Sequence, residues 1–309
     1  MSRLARRIRI SLPAQTLELR DARGTLLARY AVSTGAKGAG EQRGSYQTPR
    51  GRHIVRARIG AGQPINTVFV GRRPTGEIWT PALGEAFPGR DWILTRILWL
   101  SGREVGFNRL GMVDTMRRYI YLHGTPDDQV LGTPGSHGCV RMGNADIVEL
   151  FDGVTAGTAV DIVEYRMDAG DWSRLGNAAY AIREQVFIRE QGVPEELELD
   201  EYDPVSNHVV ARGPAGEAIG TARLLADGRV GRFAVLPAWR GKGVGQALMD
   251  ALLDAARGDP ALGFRVGETT LELHSQLQAA GFYRGFGFAE TGQPYMEAGL
   301  PHVTMTRTL

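Results

Sequence analysis

The sequence predicts two domains in series, a β-rich domain followed by an α/β domain. Three observations predict it. A chain of 309 residues is long enough to bury two separate cores. Its first half reads as short alternating strands broken by glycine turns, whereas its second half interleaves such strands with amphipathic helices. The charge also changes sign: residues 1–166 carry 23 Lys plus Arg against 15 Asp plus Glu, a net of +8, and residues 167–309 carry 13 against 19, a net of −6. The boundary is therefore placed at 166/167.

In the first half, Ile8–Leu12 and Thr16–Leu19 alternate, Asp21-Ala22-Arg23-Gly24 supplies a turn, and Leu27–Ser33 alternates again. Ile65–Thr80 reads as further strand. Trp92–Leu100 (WILTRILWL) is the most apolar stretch, but it contains Arg96 and falls far short of the ~20 residues that cross a bilayer, so no membrane span is expected. Tyr119–Leu122 is a short β-type run that delivers His123 at its end. Asn144–Phe151 has helical spacing, with Ile147, Val148 and Phe151 on one side, and Val160–Val163 closes the domain as a strand.

Between Tyr165 and Trp172 the pattern fades into Arg-Met-Asp-Ala-Gly-Asp, which reads as a polar linker. Asn177–Gln191 then forms an amphipathic helix with Ile182, Val186 and Phe187 at helical spacing and Gly192 near its end. Strands follow at His208–Ala211, Ile219–Leu225 and Val230–Leu236, with a turn at Asp227-Gly228 between the last two. A helix runs from about Gly243 to Ala256, Thr269–Leu273 is a strand, Leu277–Phe286 a helix, and the remaining stretch returns to strand.

The amino terminus is basic (Arg3, Arg6, Arg7), but it leads into an alternating pattern rather than the unbroken apolar stretch of a signal peptide, so cytoplasmic residence is expected. The positive residues are scattered arginines, with only Lys37 and Lys242 as lysines. No aromatic-basic platform accompanies them, and nucleic acid is not an expected partner.

The chemistry of the first half centres on Gly135-Ser136-His137-Gly138-Cys139-Val140-Arg141-Met142-Gly143, which holds the only cysteine of the chain. A lone cysteine forms no intramolecular disulfide and has no partner for a tetrahedral zinc site, so no metal is expected. A small buried hydrophobe is the bland reading of such a residue. Here a glycine permits tight turning beside it, His137 adds a donor, and His123 can take the thiol proton. His-Gly-Thr at 123–125, a spacer, then Ser-His-Gly-Cys-Val-Arg resembles the signature of the L,D-transpeptidase catalytic domain, the YkuD/ErfK family. GSYQTPRG (44–51) resembles that family's Thr-Pro-x-Gly segment, and residues 144–163 resemble its closing helix and last strand. The resemblance covers roughly 5–165.

It implies a β-sandwich, with Cys139 as nucleophile cleaving the bond between a diamino acid's L-centre and a following D-residue of a peptidoglycan stem peptide or precursor. An amine acceptor gives transpeptidation and water gives L,D-carboxypeptidase activity. His123 is the expected base, its ring oriented by the Gly124 carbonyl. His137 is assigned to substrate contact and oxyanion support, with the N–H groups around Gly138 and Cys139 as oxyanion donors. Ser136 joins the substrate-binding set, and Arg141 offers a planar fork for a stem carboxylate.

In the second half, Arg240-Gly241-Lys242-Gly243-Val244-Gly245 follows a strand and opens a helix, a ready anion site. It lacks the Gly-Lys-Ser/Thr end of a P-loop and the spacing of a dinucleotide fingerprint. After Phe-Ala-Val-Leu-Pro, this Arg-x-x-Gly-x-Gly run resembles the coenzyme A loop of GNAT N-acetyltransferases, on a mixed central sheet. AIREQVFIREQG (181–192) resembles the first helix of the ElaA-type subgroup, and AAGFYRGFGF (279–288) the closing segment, over roughly 172–309.

The resemblance implies acetyl-CoA as co-substrate. Val235 would contact the pantetheine by backbone, residues 240–245 would bind pyrophosphate, and Tyr283 would protonate the departing thiolate. The acceptor is expected to be a small-molecule amine, with Glu190, His274 and His302 as open choices of base. His208 reads as a strand-surface or core residue. The expectation is a bifunctional acyl-transfer enzyme, and the alternative is an acetyltransferase carrying a non-catalytic wall-fragment recognition domain.

Overall fold

The protein is described by a computed structural model covering residues 6–297 and 299–309. Arg3 of the basic amino terminus lies outside the described residues. The chain divides into two compact units, one containing the segments up to Ala22 and Leu26–Glu164, the other essentially Tyr165–Leu309.

The first unit contains β1 (Arg7–Ser11), β2 (Thr16–Arg20), β3 (Leu26–Ala31), β4 (Gly51–Ile59), β5 (Thr67–Val70), β6 (Arg73–Ile78), α1 (Pro81–Ala86), β7 (Leu94–Gly102), β8 (Tyr121–Gly124), β9 (Val140–Met142), α2 (Asn144–Gly153) and β10 (Ala159–Val163). Ten strands form one branched sheet in the order β3-β2-β1-β10-β4-β7-β5-β6, with β8 paired to β7 and β9 to β8. Ile8, Ile10, Leu17, Leu19, Val160 and Ile162 share one core with Leu98, Leu100, Leu122, Val140, Met142 and the α2 residues Ile147, Leu150 and Phe151. The two arms of the sheet therefore close over a common interior, the expected sandwich. Each fully buried Ile or Leu there contributes about 1.5–3 kcal/mol.

β4 escaped the sequence reading because Arg52, Arg56 and Arg58 interrupt an alternation whose inward members are His53 and Val55. Ile65–Thr80 is a hairpin of β5 and β6 rather than one strand, turned at Gly71 and Arg72, both at positive φ. The apolar stretch from Trp92 becomes β7, flanked by β4, β5 and β8. Its Arg96 is accommodated by donating to the Gln63 and Thr95 carbonyls and lying over the Phe151 ring.

The second unit contains β11 (Arg166–Gly170), α3 (Trp172–Arg183), β12 (Asn207–Arg212), β13 (Ala218–Leu224), β14 (Arg229–Val235), α4 (Val244–Gly258), β15 (Thr270–Gln276), α5 (Ala280–Arg284), β16 (Ala289–Glu297) and β17 (Leu300–Thr308). The seven-stranded sheet runs β11-β12-β13-β14-β15-β17-β16. It is mixed, because β14 and β15 are parallel and all other neighbours antiparallel. Only Arg229↔Glu272 and Val230↔Leu273 pair between β14 and β15, so beyond those residues the two strands part.

Three expectations are corrected here. The polar linker is strand β11, pairing Arg166–Gly170 with His208–Arg212; it reads as polar because it is an edge strand, tied by the Arg212–Asp168 ion pair at 2.6 Å. The helix expected from Asn177 starts at Trp172, where the Asp171 side chain caps the Arg174 N–H at 3.0 Å, and after Arg183 it widens into a π-helical turn over Glu184–Glu190. The helix expected over Leu277–Phe286 is a 3₁₀ turn followed by the short α5. No helix among the described residues is long and apolar enough to cross a membrane.

Candidate active sites

Strand register decides what faces Cys139. β8 and β9 are parallel, with Leu122 opposite Val140 and His123 opposite Arg141. Leu122 and Val140 point into the core, so alternation turns Tyr121, His123, Cys139 and Arg141 to the other face. The Tyr121 N–H donates to Cys139 Sγ at 3.4 Å, and the thiol faces the Tyr119 carbonyl at 3.5 Å. Burial pushes this thiol up to about 12, so the resting site holds a thiol rather than a thiolate.

His123 is 1% exposed, and its Nδ1 lies 2.8 Å from the Gly124 carbonyl. A carbonyl only accepts, so the Nδ1 proton is fixed and Nε2 is the nitrogen able to take another. Burial lowers the His123 pKa, against the opposing pull of Gly124 and Asp91. The end of β8 is itself held by Asn144, which donates to the Thr125 carbonyl at 2.8 Å and accepts from Thr95.

The loop before Cys139 is locked internally. Ser136 Oγ donates to the Cys139 carbonyl at 2.6 Å and accepts the Gly138 N–H at 3.0 Å. The Gly138 N–H is thus already engaged, and the expectation of it as a free oxyanion donor is corrected. The Cys139 N–H has no hydrogen-bond partner among the described residues. Thr48, from the GSYQTPRG segment, donates to the Gly138 carbonyl at 3.0 Å, which explains why that segment accompanies the cysteine. Gly138 has φ +115°, and an added Cβ would meet the Gln47 carbonyl oxygen at 2.9 Å. Gly138→Ala is expected to destabilise this unit by about 1–3 kcal/mol, measured by hydrogen exchange of β8 and β9 amides.

His137 stands on the rim, its side chain 66% exposed, with Nδ1 3.3 Å from Asp91 and the Tyr46 ring edge-on at 5.9 Å. Arg141 is committed on both sides, to the Gly135 carbonyl at 3.0 Å and to Asp91 at 2.7 Å, so the free fork expected for a stem carboxylate is already occupied. Asp91 thus ties His137 to Arg141. Burial works to raise its carboxyl, but Arg141, His123 and His137 outweigh that and hold it below its usual range. A cavity of about 470 Å³ opens beside this cluster, lined by Trp79, Asp91, Trp92, Asp128, His137 and Arg141 among others. Asp91 was not legible in the sequence, because it sits in a loop with no periodicity and no motif.

In the second unit, Gly241 and Gly243 adopt φ +74° and +80°, and the backbone N–H groups of Gly241 to Gly245 hydrogen-bond to nothing among the described residues. Together with Val244 they open α4, whose first-turn donors point to its start. This cradle fits a pyrophosphate. Arg240 is held away by a bidentate pair with Glu190, at 2.7 and 2.6 Å, and by donating to the Val235 carbonyl at 2.9 Å. The same pair holds the Glu190 carboxyl below its usual range and engages both of its oxygens. Lys242 lies over the Trp239 ring.

Where β14 and β15 part, a cavity of about 570 Å³ is lined by Phe187, Glu198, Arg232, His274, Tyr283 and His302 among others. Tyr283 packs edge-on against Phe233 and Phe282, and burial raises its pKa. His274 lies between Glu272 at 3.7 Å and Glu297 at 3.4 Å, while His302 bonds the Leu300 carbonyl at 2.9 Å. His208 is a core residue, 1% exposed and 2.9 Å from the Asp203 carbonyl. The cavity thus gathers Tyr283, His274 and His302 but not the 240–245 loop.

The L,D-transpeptidase catalytic domain family, YkuD, matches residues 5–162, and the acetyltransferase (GNAT) domain family matches residues 171–309. The chain belongs to both families. Its acetyltransferase half is 35% identical over 133 residues to the "Uncharacterized N-acetyltransferase YjcF" of Bacillus subtilis, spanning 42% of this chain and 89% of that protein. Its transpeptidase half is 32% identical over 136 residues to the "Probable L,D-transpeptidase YbiS" of Escherichia coli, spanning 38% of this chain and 41% of YbiS. The crystal structure of Escherichia coli ElaA is 28% identical, with 46% of this chain and 99% of that chain covered at a TM-score of 0.40. In the transpeptidase half, the cysteine and both histidines of the motif lie on or beside β8 and β9; in the acetyltransferase half, Gly245 of the anion cradle borders the Phe282 and Phe233 rings, against which Tyr283 packs.

Proposed function

We propose that the chain carries two acyl-transfer activities, a cysteine-dependent L,D-transpeptidase or L,D-carboxypeptidase acting on peptidoglycan stem peptides or precursors, and an acetyl-CoA-dependent N-acetyltransferase acting on an amine. The observation that carries the first is His123, whose Nδ1 proton is held by Gly124 so that Nε2 accepts on the face shared with Cys139. The Cys139 sulfur attacks the stem carbonyl while its proton passes to His123 Nε2. The C–N bond breaks, and the leaving amine takes that proton back. An acceptor amine or water then releases the acyl group from the sulfur. The Cys139 N–H is the remaining backbone donor for the oxyanion. Asp91 keeps His137 and Arg141 at the mouth of the substrate groove, as positioning for the stem.

For the second activity, the 241–245 N–H groups hold the pyrophosphate, and Tyr283 gives its proton to the departing sulfur as the acceptor nitrogen bonds to the acetyl carbon and sheds its own proton to solvent. A raised pKa suits that task, since Tyr283 stays protonated at neutral pH. Tyr283→Phe is expected to lower kcat by about 10²-fold or more with little change in acetyl-CoA affinity, read by steady-state kinetics and calorimetry.

A second reading, an acetyltransferase with a non-catalytic recognition domain, is favoured by the resting thiol and the occupied Arg141. The deciding experiment incubates the purified protein with a tetrapeptide precursor and acetyl-CoA, beside Cys139→Ala and Tyr283→Phe, and follows products by mass spectrometry. D-Alanine release that needs Cys139 supports the bifunctional reading. An unchanged tetrapeptide with every acceptor amine supports the recognition domain.

A further inference from the structure

Arg141, the arginine of the cysteine motif, is not free to read a carboxylate of the stem, because Asp91 and the Gly135 carbonyl already hold it. Its neighbours around the thiol are engaged too. Arg90 is paired with Glu77, and Arg118 donates to the Gly40 and Gln47 carbonyls. Arg72 differs from all three. Among the described residues its hydrogen bonding is confined to Nη1, which donates to the Tyr121 hydroxyl at 3.0 Å, and no carboxylate pairs with it. Burial raises the Tyr121 pKa, so this partner is a neutral phenol and leaves the guanidinium charge uncompensated.

That guanidinium is held in place. Arg72 occupies the β5–β6 turn at φ +66°, a position usually given to glycine or asparagine. Its Cζ lies 4.5 Å from the Trp99 ring centroid and 5.0 Å from that of Tyr119. Arg56 lies over the same Trp99 ring at 5.9 Å and likewise has no carboxylate partner among the described residues. Two cations on one ring repel each other, and a bound anion relieves them. The N–H groups that Arg72 leaves unused form the planar fork that a carboxylate fits.

These groups stand on the cysteine face. Tyr121, whose hydroxyl holds Arg72, donates its backbone N–H to Cys139 Sγ at 3.4 Å, and Tyr119, whose ring lies against Arg72, presents its carbonyl to the same sulfur at 3.5 Å. Trp99 and Tyr121 are cross-strand neighbours, and Cys139 packs against the same apolar cluster. In a stem attacked at its penultimate carbonyl, the terminal carboxylate lies one residue further on, about 3.5 Å along the chain. The cavity beside His137 offers that group no free guanidinium, since Arg90 and Arg141 on its wall are both paired.

We infer that Arg72 is the specificity residue for the free end of the stem, its guanidinium binding the terminal carboxylate of the D-residue that leaves when Cys139 attacks. The inference rests on the stem-peptide reading above, in its catalytic or its recognition form, and names the group that selects a free carboxyl end over a blocked one.

The test measures binding of a tetrapeptide ending in D-alanine, and of the same peptide ending in D-alaninamide, to the full-length Cys139→Ala chain by calorimetry, beside turnover of both by the native chain. The acid is expected to bind about tenfold or more tighter than the amide, the scale of a charged hydrogen bond, with the same preference in kcat/KM. Arg72→Gln brings the acid-to-amide ratio towards one by weakening the acid, and Arg72→Lys restores part of it, because an ammonium keeps the charge without the fork. Arg141→Gln leaves the ratio in place. Hydrogen exchange of the β5 and β6 amides verifies the hairpin in each Arg72 variant. Equal affinity for acid and amide, a ratio that survives Arg72→Gln, or a ratio lost in Arg141→Gln each overturn the assignment. A chain that neither binds nor cleaves either peptide instead overturns the stem-peptide reading on which it rests.

Discussion

Cys139→Ala and His123→Ala are each expected to reduce D-alanine release from a tetrapeptide by on the order of 10⁴–10⁶-fold in kcat, since a nucleophile and its base act as one unit. The two substitutions should not multiply: the double variant loses no more than the worse single one. The resting state sharpens the expectation. With the thiol at about 12, Cys139 holds about 10³-fold less thiolate at pH 7 than an ordinary cysteine near 9. Iodoacetamide should therefore alkylate it correspondingly slowly, and the rate should climb about tenfold per pH unit into the alkaline range. The pH profile of turnover should differ. Burial holds the His123 pKa below its ordinary value, so the neutral, proton-accepting ring persists as pH falls past 6.5, and kcat/KM should decline only below the usual imidazole range. Rapid alkylation that is flat across neutral pH would mean a preformed thiolate–imidazolium pair, and would sink proton transfer during attack as the mechanism.

What was legible in the sequence had a local cause. The cysteine, its glycine and both histidines stand in one motif, and β8 was readable because a short apolar run announces it, whereas β9, only three residues long, was not read as a strand. The pairing that brings Thr48 to the Gly138 carbonyl depends on contacts between segments far apart in sequence, and only the family's Thr-Pro-x-Gly likeness hinted at it. Asp91 was hidden for the same reason. Its partners His137 and Arg141 come from a distant loop and strand, and nothing in Pro88-Gly89-Arg90-Asp91 distinguishes a clamp from a surface turn. In the second half, strand β11 was read as a linker because edge strands carry charge where central ones carry valine and isoleucine. The π-helical turn was equally out of reach, since an inserted residue shifts a helical face without changing its composition. Arg240 and Glu190 show the cost of assigning roles from a motif alone: each was read as free, and each occupies the other.

The second large effect is expected at Arg183, a side chain with no solvent exposure in the acetyltransferase half. It donates to Glu198, to the Glu198 carbonyl at 2.7 Å, and to both oxygens of Asp203 at 2.7 and 2.9 Å, beneath the Trp172 ring. Arg183→Ala takes the close donor from the buried Glu198 carboxylate and leaves Asp203 with Arg223 as its ion partner, and removing one member of such a network costs about 3–5 kcal/mol. Arg183→Met restores volume without donors and should recover little, which separates charge from packing. The acid limb supplies the sign. Burial works to raise the Asp203 carboxyl, but Arg183 and Arg223 outweigh it and hold its pKa below the unfolded value near 3.9. Its contribution is therefore complete above that value and is lost as pH falls through the lower folded pKa. In Arg183→Ala this contribution falls to what Arg223 supplies, and protonation relieves the buried carboxylates that have lost Arg183. The stability gap between the native chain and the variant should consequently narrow as pH falls from about 6 to about 3, read by hydrogen exchange of the β12 and β13 amides. A gap that stays constant over that range would assign the loss to packing alone.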